Sequence, residues 1–160
     1  MKKFIIGLVV VLLALITAIA FYTWFTWGIS TTHSTISFTD SIYKTKDVKF
    51  GDVTVHALVA DTPELRSLGL GGRLGLSEGQ GMLFIFDHDG QYGFWMKDMR
   101  FPIDILWISN DNHVIYMVQS LTPETYPSSF GPDTPTHYVL EVPAGYSVAH
   151  GVKIGDSISF

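Results

Sequence analysis

The chain contains no cysteine at all. Disulfides, thiolate nucleophiles and Cys-ligated zinc are therefore excluded together. That absence does not assign a compartment, because an exported domain with a core of ordinary size can do without covalent staples. Clustered basic residues are also missing. Lys and Arg total 10 against 15 Asp and Glu, and setting aside Lys2 and Lys3 takes the net charge from −5 to −7. Nucleic acid is excluded as a partner, since phosphate binding needs grouped cations to displace counterions. A third absence is local: no Asp, Glu, Lys or Arg occurs from Phe4 to Thr39, whereas charges are spread evenly after Asp40. Two different materials are joined end to end.

The uncharged part opens with Lys2 and Lys3, followed by an apolar run from Phe4 to Phe25. About 22 residues at roughly 1.5 Å each reach about 33 Å, enough to cross a hydrocarbon core of about 30 Å. The run predicts a single transmembrane helix within residues 1–27, and membrane contact through residues 4–25. Lysines on the short leading end favour an N-terminus inside and a C-terminal domain outside the cytoplasm. Phe21, Tyr22, Trp24, Phe25 and Trp27 form an aromatic cluster suited to the headgroup level, which favours an uncleaved signal anchor. The alternative is secretion after cleavage near Ala20, because Ala18-Ile19-Ala20 has the small-x-small form of a processing site. Residues 28–47 are rich in Ser and Thr and read as a tether.

Residues 48–160 alternate short apolar stretches with turn residues. Val53, Val55, Ala57 and Val59 share one side of a period-two pattern, with Thr54 and His56 opposite. Asp61-Thr62-Pro63-Glu64 supplies a cap, a first-turn proline and an acid for a short helix through Leu65 and Leu68. Strands are expected at Met82–Phe86, Tyr92–Met96 (its hairpin partner), Ile103–Ile108, His113–Val118, Tyr138–Val142 and Ser157–Phe160. Four prolines between positions 121 and 135 mark a long loop. The pattern predicts a mainly β domain, a compact antiparallel sandwich or barrel with one short helix.

The densest polar group is Phe94-Trp95-Met96-Lys97-Asp98-Met99-Arg100, with Asp104 close behind. Trp95 offers a flat stacking face, and Lys97 with Asp98 offers both charges to a polar ligand. The blander reading is a hairpin connection with solvated ion pairs worth less than about 1 kcal/mol. Asp104 interrupts an apolar strand, as Glu141 does between Leu140 and Val142. A carboxyl in such a place is either paired or on a polar concave face, since burying it alone is costly. If the two faces coincide, the pair suits acid–base work. No two histidines are spaced as local metal ligands, so neither a metal nor another cofactor is expected. Asp87-His88-Asp89-Gly90 lacks the remaining ligands of a calcium loop and reads as a turn. No serine sits in a nucleophile elbow, and the glycine clusters lack the strand–helix setting of a nucleotide loop.

Read together, Arg66-x-x-Gly69-Leu70, Arg73-Leu74, Gly81-Met82-Leu83-Phe84, Phe94-Trp95-Met96-Lys97, Pro102-Ile103-Asp104-Ile105, Leu140-Glu141-x-x-Ala144-Gly145 and Gly155-Asp156 resemble the domain of unknown function 192 family (DUF192, also UPF0127). The resemblance implies a compact, mainly β fold, often exported or membrane-anchored, and implies no activity. It singles out Arg66, Arg73, Met82, Trp95, Met96, Lys97, Asp104 and Glu141. Gly71 and Asp98 depart from the pattern, which usually has Met and Asn there. Three functions fit: a cell-envelope module binding a small polar ligand such as a saccharide, a hydrolase using Asp104 and Glu141, or a protein-interaction module without a pocket, its partner an envelope protein. The ligand-binding candidates are Trp95, Lys97, Asp98, Asp104, Glu141, Arg66 and Arg73; no catalytic residue is assigned.

Overall fold

The computed structural model describes residues 42–160. The expected transmembrane helix and most of the expected tether lie outside them, and among the described residues no helix is long and apolar enough to cross a membrane.

Six strands form one sheet: β1 (Lys44–Phe50), β2 (Val53–Ala60), β3 (Gln80–Gly90), β4 (Ile103–Ile108), β5 (Val114–Leu121) and β6 (Thr136–Pro143). Their order is β1-β2-β3-β6-β4-β5. β2 and β3 run parallel while the other neighbours are antiparallel. The expected wholly antiparallel arrangement is corrected accordingly. A parallel pair needs a crossover, and the segment between β2 and β3 provides it with helix α1 (Pro63–Leu68). Thr62 caps that helix by accepting the Leu65 amide at 3.3 Å, and Pro63 opens it, as the residue types predict. A second helix, α2 (Tyr146–Ala149), and the 3-10 turn Pro123–Thr125 were not foreseen.

Neither a sandwich nor a fully paired barrel results. The outer strands of the single sheet are tied at one end by the last residues. Lys49 and Ser159 exchange backbone bonds of 2.8 and 3.1 Å, while Val114 donates to Asp156 at 2.9 Å and Ile158 to Asn112 at 2.8 Å. Ser157–Phe160, expected as a strand, makes bridges rather than a ladder. β1 starts at Lys44, ahead of the expected domain start at Val48.

Both faces of the sheet are covered at its centre. One carries Val55, Ala57, Leu83, Leu106, Leu140 and Val142, closed over by Tyr146, Val152 and Ile158. The other carries Met82, Phe84, Ile103, Ile105, Trp107 and Val139, closed over by Leu70, Phe94 and Met96. β6 is central, paired with β3 on one side and β4 on the other. Gly81 is required where β3 meets β6: a Cβ there would lie 2.7 Å from the Glu141 carbonyl oxygen and 2.8 Å from Val55.

Candidate functional site

The segment Tyr92–Met96, expected as a hairpin strand, is instead an irregular lid over the second face. Its only bridge is reciprocal, between Phe94 and Phe130, with both N–H···O distances 2.8 Å. Trp107 fastens the segment by donating its indole N–H to the Tyr92 carbonyl at 2.8 Å. Phe94 and Met96 point inward as plugs; Phe94 meets Phe84 and Trp107 edge-on, at 4.8 and 5.9 Å between centroids. The residues between and after them are left outside. Trp95 is 52% exposed, tilted against Tyr126 at 5.8 Å, with the Lys97 ammonium 5.9 Å from its ring centroid.

A cleft of about 380 Å³ opens between this lid and the end of α1. Phe84, Phe86, Tyr92 and Phe94 give it aromatic walls, and Arg66, Trp95, Lys97, Asp98 and Glu141 also line it. Arg66 binds the helix to β3: it donates to the Ile85 carbonyl at 2.7 Å, lies 3.6 Å from the Asp87 carboxylate, and its guanidinium sits 5.2 Å from the Phe86 ring centroid. Gly71 and Asp98, the two departures from the family pattern, meet at the rim. The Asp98 carbonyl accepts the Gly72 amide at 2.8 Å, and a Cβ on Gly71 would lie 3.5 Å from the Asp98 Cβ. Asp98 has φ of 59°, a left-handed conformation that Asn and Gly adopt more readily.

Glu141 belongs to the cleft by strand parity. It stands directly opposite Met82 on β3 and Ile105 on β4, so all three project from the same face. The residue is only 5% exposed, and its Oε2 is enclosed without a hydrogen-bond partner. Burial pushes its pKa up to about 8, because loss of water disfavours the charged form and no neighbouring charge offsets that loss. Burial thus favours its uncharged form. A polar atom left unpaired in the interior costs about 1–3 kcal/mol, so the fold supplies Glu141, among the described residues, less than its burial calls for.

Asp104 is elsewhere. It pairs with Val142 and therefore projects from the opposite face to Glu141. Its carboxylate is wholly buried and accepts three backbone amides: Ser120 at 2.8 Å and Gly145 at 3.0 Å on Oδ1, and Ser147 at 2.9 Å on Oδ2. A bulge in β5 with Ser120 at φ 51° aims one of those donors. Asp104 ties β5 and the turn after β6 to β4, and the sheet separates it from Glu141. The two carboxyls cannot act on one substrate, which removes the acid–base pair from consideration. Arg73 lies with its guanidinium 5.5 Å from the Tyr43 ring centroid and does not line the cleft.

Of the seven candidates, Arg66, Trp95, Lys97, Asp98 and Glu141 thus come together, while Asp104 and Arg73 do not. The aromatic walls went unnoticed in the sequence. Phe84 and Phe86 alternate with Met82 on one side of β3, and matching that parity to Glu141 on β6 is the signal that would have found them. Among the described residues no group of three or more His, Cys, Asp or Glu could hold a metal ion.

Two solved structures share the fold of this chain. One, described as a proposed transcription regulator from Sinorhizobium meliloti 1021, is 27% identical, with a TM-score of 0.69 over 73% of this chain and 94% of that one. The other, a protein of unknown function from Novosphingobium aromaticivorans DSM 12444, is 25% identical, with a TM-score of 0.68 over 72% of this chain and 85% of that one. No curated protein matches in sequence. The model of the DUF192 family, described as an uncharacterised ACR, matches residues 45–160, and the chain belongs to that family.

Proposed function

We propose that the domain is a binding module of the cell envelope that takes a small polar ligand, a saccharide foremost, in the cleft between α1 and the lid. In the same proposal residues 4–25 hold it at the outer face of a membrane, with the N-terminus inside. The observation that carries the ligand reading is the convergence of an exposed Trp95, the rim charges Lys97 and Asp98, and the unpartnered Glu141 carboxyl on one aromatic-walled cleft. Sugar sites combine ring faces, which cover the apolar side of a pyranose, with a few polar groups that fix its orientation. The regulator description of the Sinorhizobium protein is not carried over, because this chain lacks the grouped cations that DNA contact requires.

The test is calorimetric titration of the full-length chain, in mild detergent, with a panel of neutral and amino monosaccharides. Binding that Trp95→Ala abolishes supports the reading. Binding unaffected by that substitution, or none across the panel, counts against it. Protease protection of the domain in sealed right-side-out and inverted vesicles tests the orientation; protection in the right-side-out vesicles would overturn it.

A further inference from the structure

The cleft is not uniformly polar. Its exposed lining carries charge, whereas Glu141, the one buried carboxyl that lines it, shares the cleft with Phe84 and Phe94 and is flanked on its neighbouring strands by Met82 and Ile105. β3 and β4 contribute no titratable side chain to that lining. The other charged or titratable residues lining the cleft are Arg66 from α1, Tyr92 from the lid, and Lys97 and Asp98 directly after it. The Arg66 guanidinium is occupied by the Ile85 carbonyl and Asp87. Lys97 and Asp98 make no ion pair among the described residues.

Resting on the saccharide reading, we infer that Glu141 acts as a hydrogen-bond donor at the base of the cleft, and that the sugar it receives carries an acylated amine, an N-acetyl group, rather than a free one. An enclosed carboxyl with no donor aimed at it is suited to remain protonated, and a protonated carboxyl offers one O–H to an acceptor. An amide carbonyl is such an acceptor without bringing a charge into the apolar base. The acetyl methyl suits the apolar lining that Phe84, Phe86, Tyr92 and Phe94 give the cleft. A free ammonium would instead meet an uncharged acid, with Arg66 and Lys97 lining the same cleft. The elevated proton affinity of Glu141 agrees with this role.

N-acetylglucosamine, glucose and glucosamine share one ring and differ only at the amine-bearing carbon, so they separate the possibilities. Calorimetry on the full-length chain in detergent is expected to show N-acetylglucosamine binding at least about tenfold more tightly than either other sugar near pH 6. That preference should disappear as pH rises past about 8, where the carboxyl ionises. Glu141→Gln, whose side-chain N–H can still donate, should keep the preference and lose its pH dependence. Glucosamine or glucose binding as well or better in a Trp95-dependent way would overturn the inference and leave the saccharide reading standing. A pH-independent wild type, or a Glu141→Gln variant with the same alkaline loss, would also overturn it. If none of the three sugars binds, both ideas fail together.

Discussion

Asp104 and Glu141 lie on neighbouring strands in adjacent register positions, yet project from opposite faces of the sheet, because Asp104 is paired with Val142 and Glu141 with Ile105. The two carboxyls therefore have different partners and different expected phenotypes. Asp104 accepts three backbone amides, whereas Oε2 of Glu141 has no hydrogen-bond partner among the described residues.

Replacing Asp104 should damage the fold and leave the cleft chemistry intact. Asp104→Ala strands the amides of Ser120, Gly145 and Ser147 without an acceptor, for an expected loss of about 3–5 kcal/mol in urea unfolding. Asp104→Asn keeps one carbonyl oxygen and should lose less. Unfolding midpoints that match the wild type in both variants would show that the three bonds are not structural anchors.

Replacing Glu141 should do the reverse. Burial raises its pKa from 4.5 to about 8 in the folded chain. Between those values the folded protein holds a proton that the unfolded chain has released, so this group's contribution falls as pH rises through the window and is constant above it. Glu141→Gln removes that slope. The variant should match the wild type in stability near pH 4 and exceed it by several kcal/mol near pH 9. Equal stability of the two proteins at both pH values would mean that Glu141 is not held protonated.

Trp95→Ala removes a side chain that covers little of the core. A change of less than about 1 kcal/mol in unfolding free energy is expected, together with loss of saccharide binding. A large destabilisation would instead assign Trp95 to the packing of the lid.

Gly81→Ala places a methyl group 2.7 Å from a carbonyl oxygen of the central strand. Neither β3 nor β6 can yield without breaking its ladder on the other side. A loss of about 2–4 kcal/mol, with amide exchange quickened along Met82–Phe84, is the expected outcome. Wild-type exchange rates there would show that the strands can part without cost.

Much of the sheet could be read from residue order alone. β4 occupies Ile103–Ile108 as expected, and the alternation of Val53, Val55, Ala57 and Val59 marks β2. The helix start at Thr62-Pro63 followed from local chemistry that acts within a few residues. Pairing was less legible, because the choice of neighbours depends on contacts between distant segments. Tyr92–Met96 follows β3 directly in an apolar stretch, but β6 takes the place beside β3. Burial of Phe94 and Met96 around an exposed Trp95 is something a loop can produce as well as a strand. The same limit applied to the site. Trp95, Lys97 and Asp98 are consecutive and visible as a cluster, whereas Arg66 and Glu141 join them only through the crossover and the register of β6. Asp104 misled for a simple reason: a lone carboxyl in an apolar strand reads the same whether backbone amides or a ligand satisfy it.

The tie between Lys49 and Ser159 bears on how the domain is made. Synthesis delivers β1 before the residues that pair with Lys49, so that end of the β1 edge stays unpaired until Ser159 has been made. Until then β1 offers unpaired amides to any other extended chain nearby. A ribosome-stalled intermediate ending before Asp156 should accordingly be the form most prone to self-association and most in need of a chaperone.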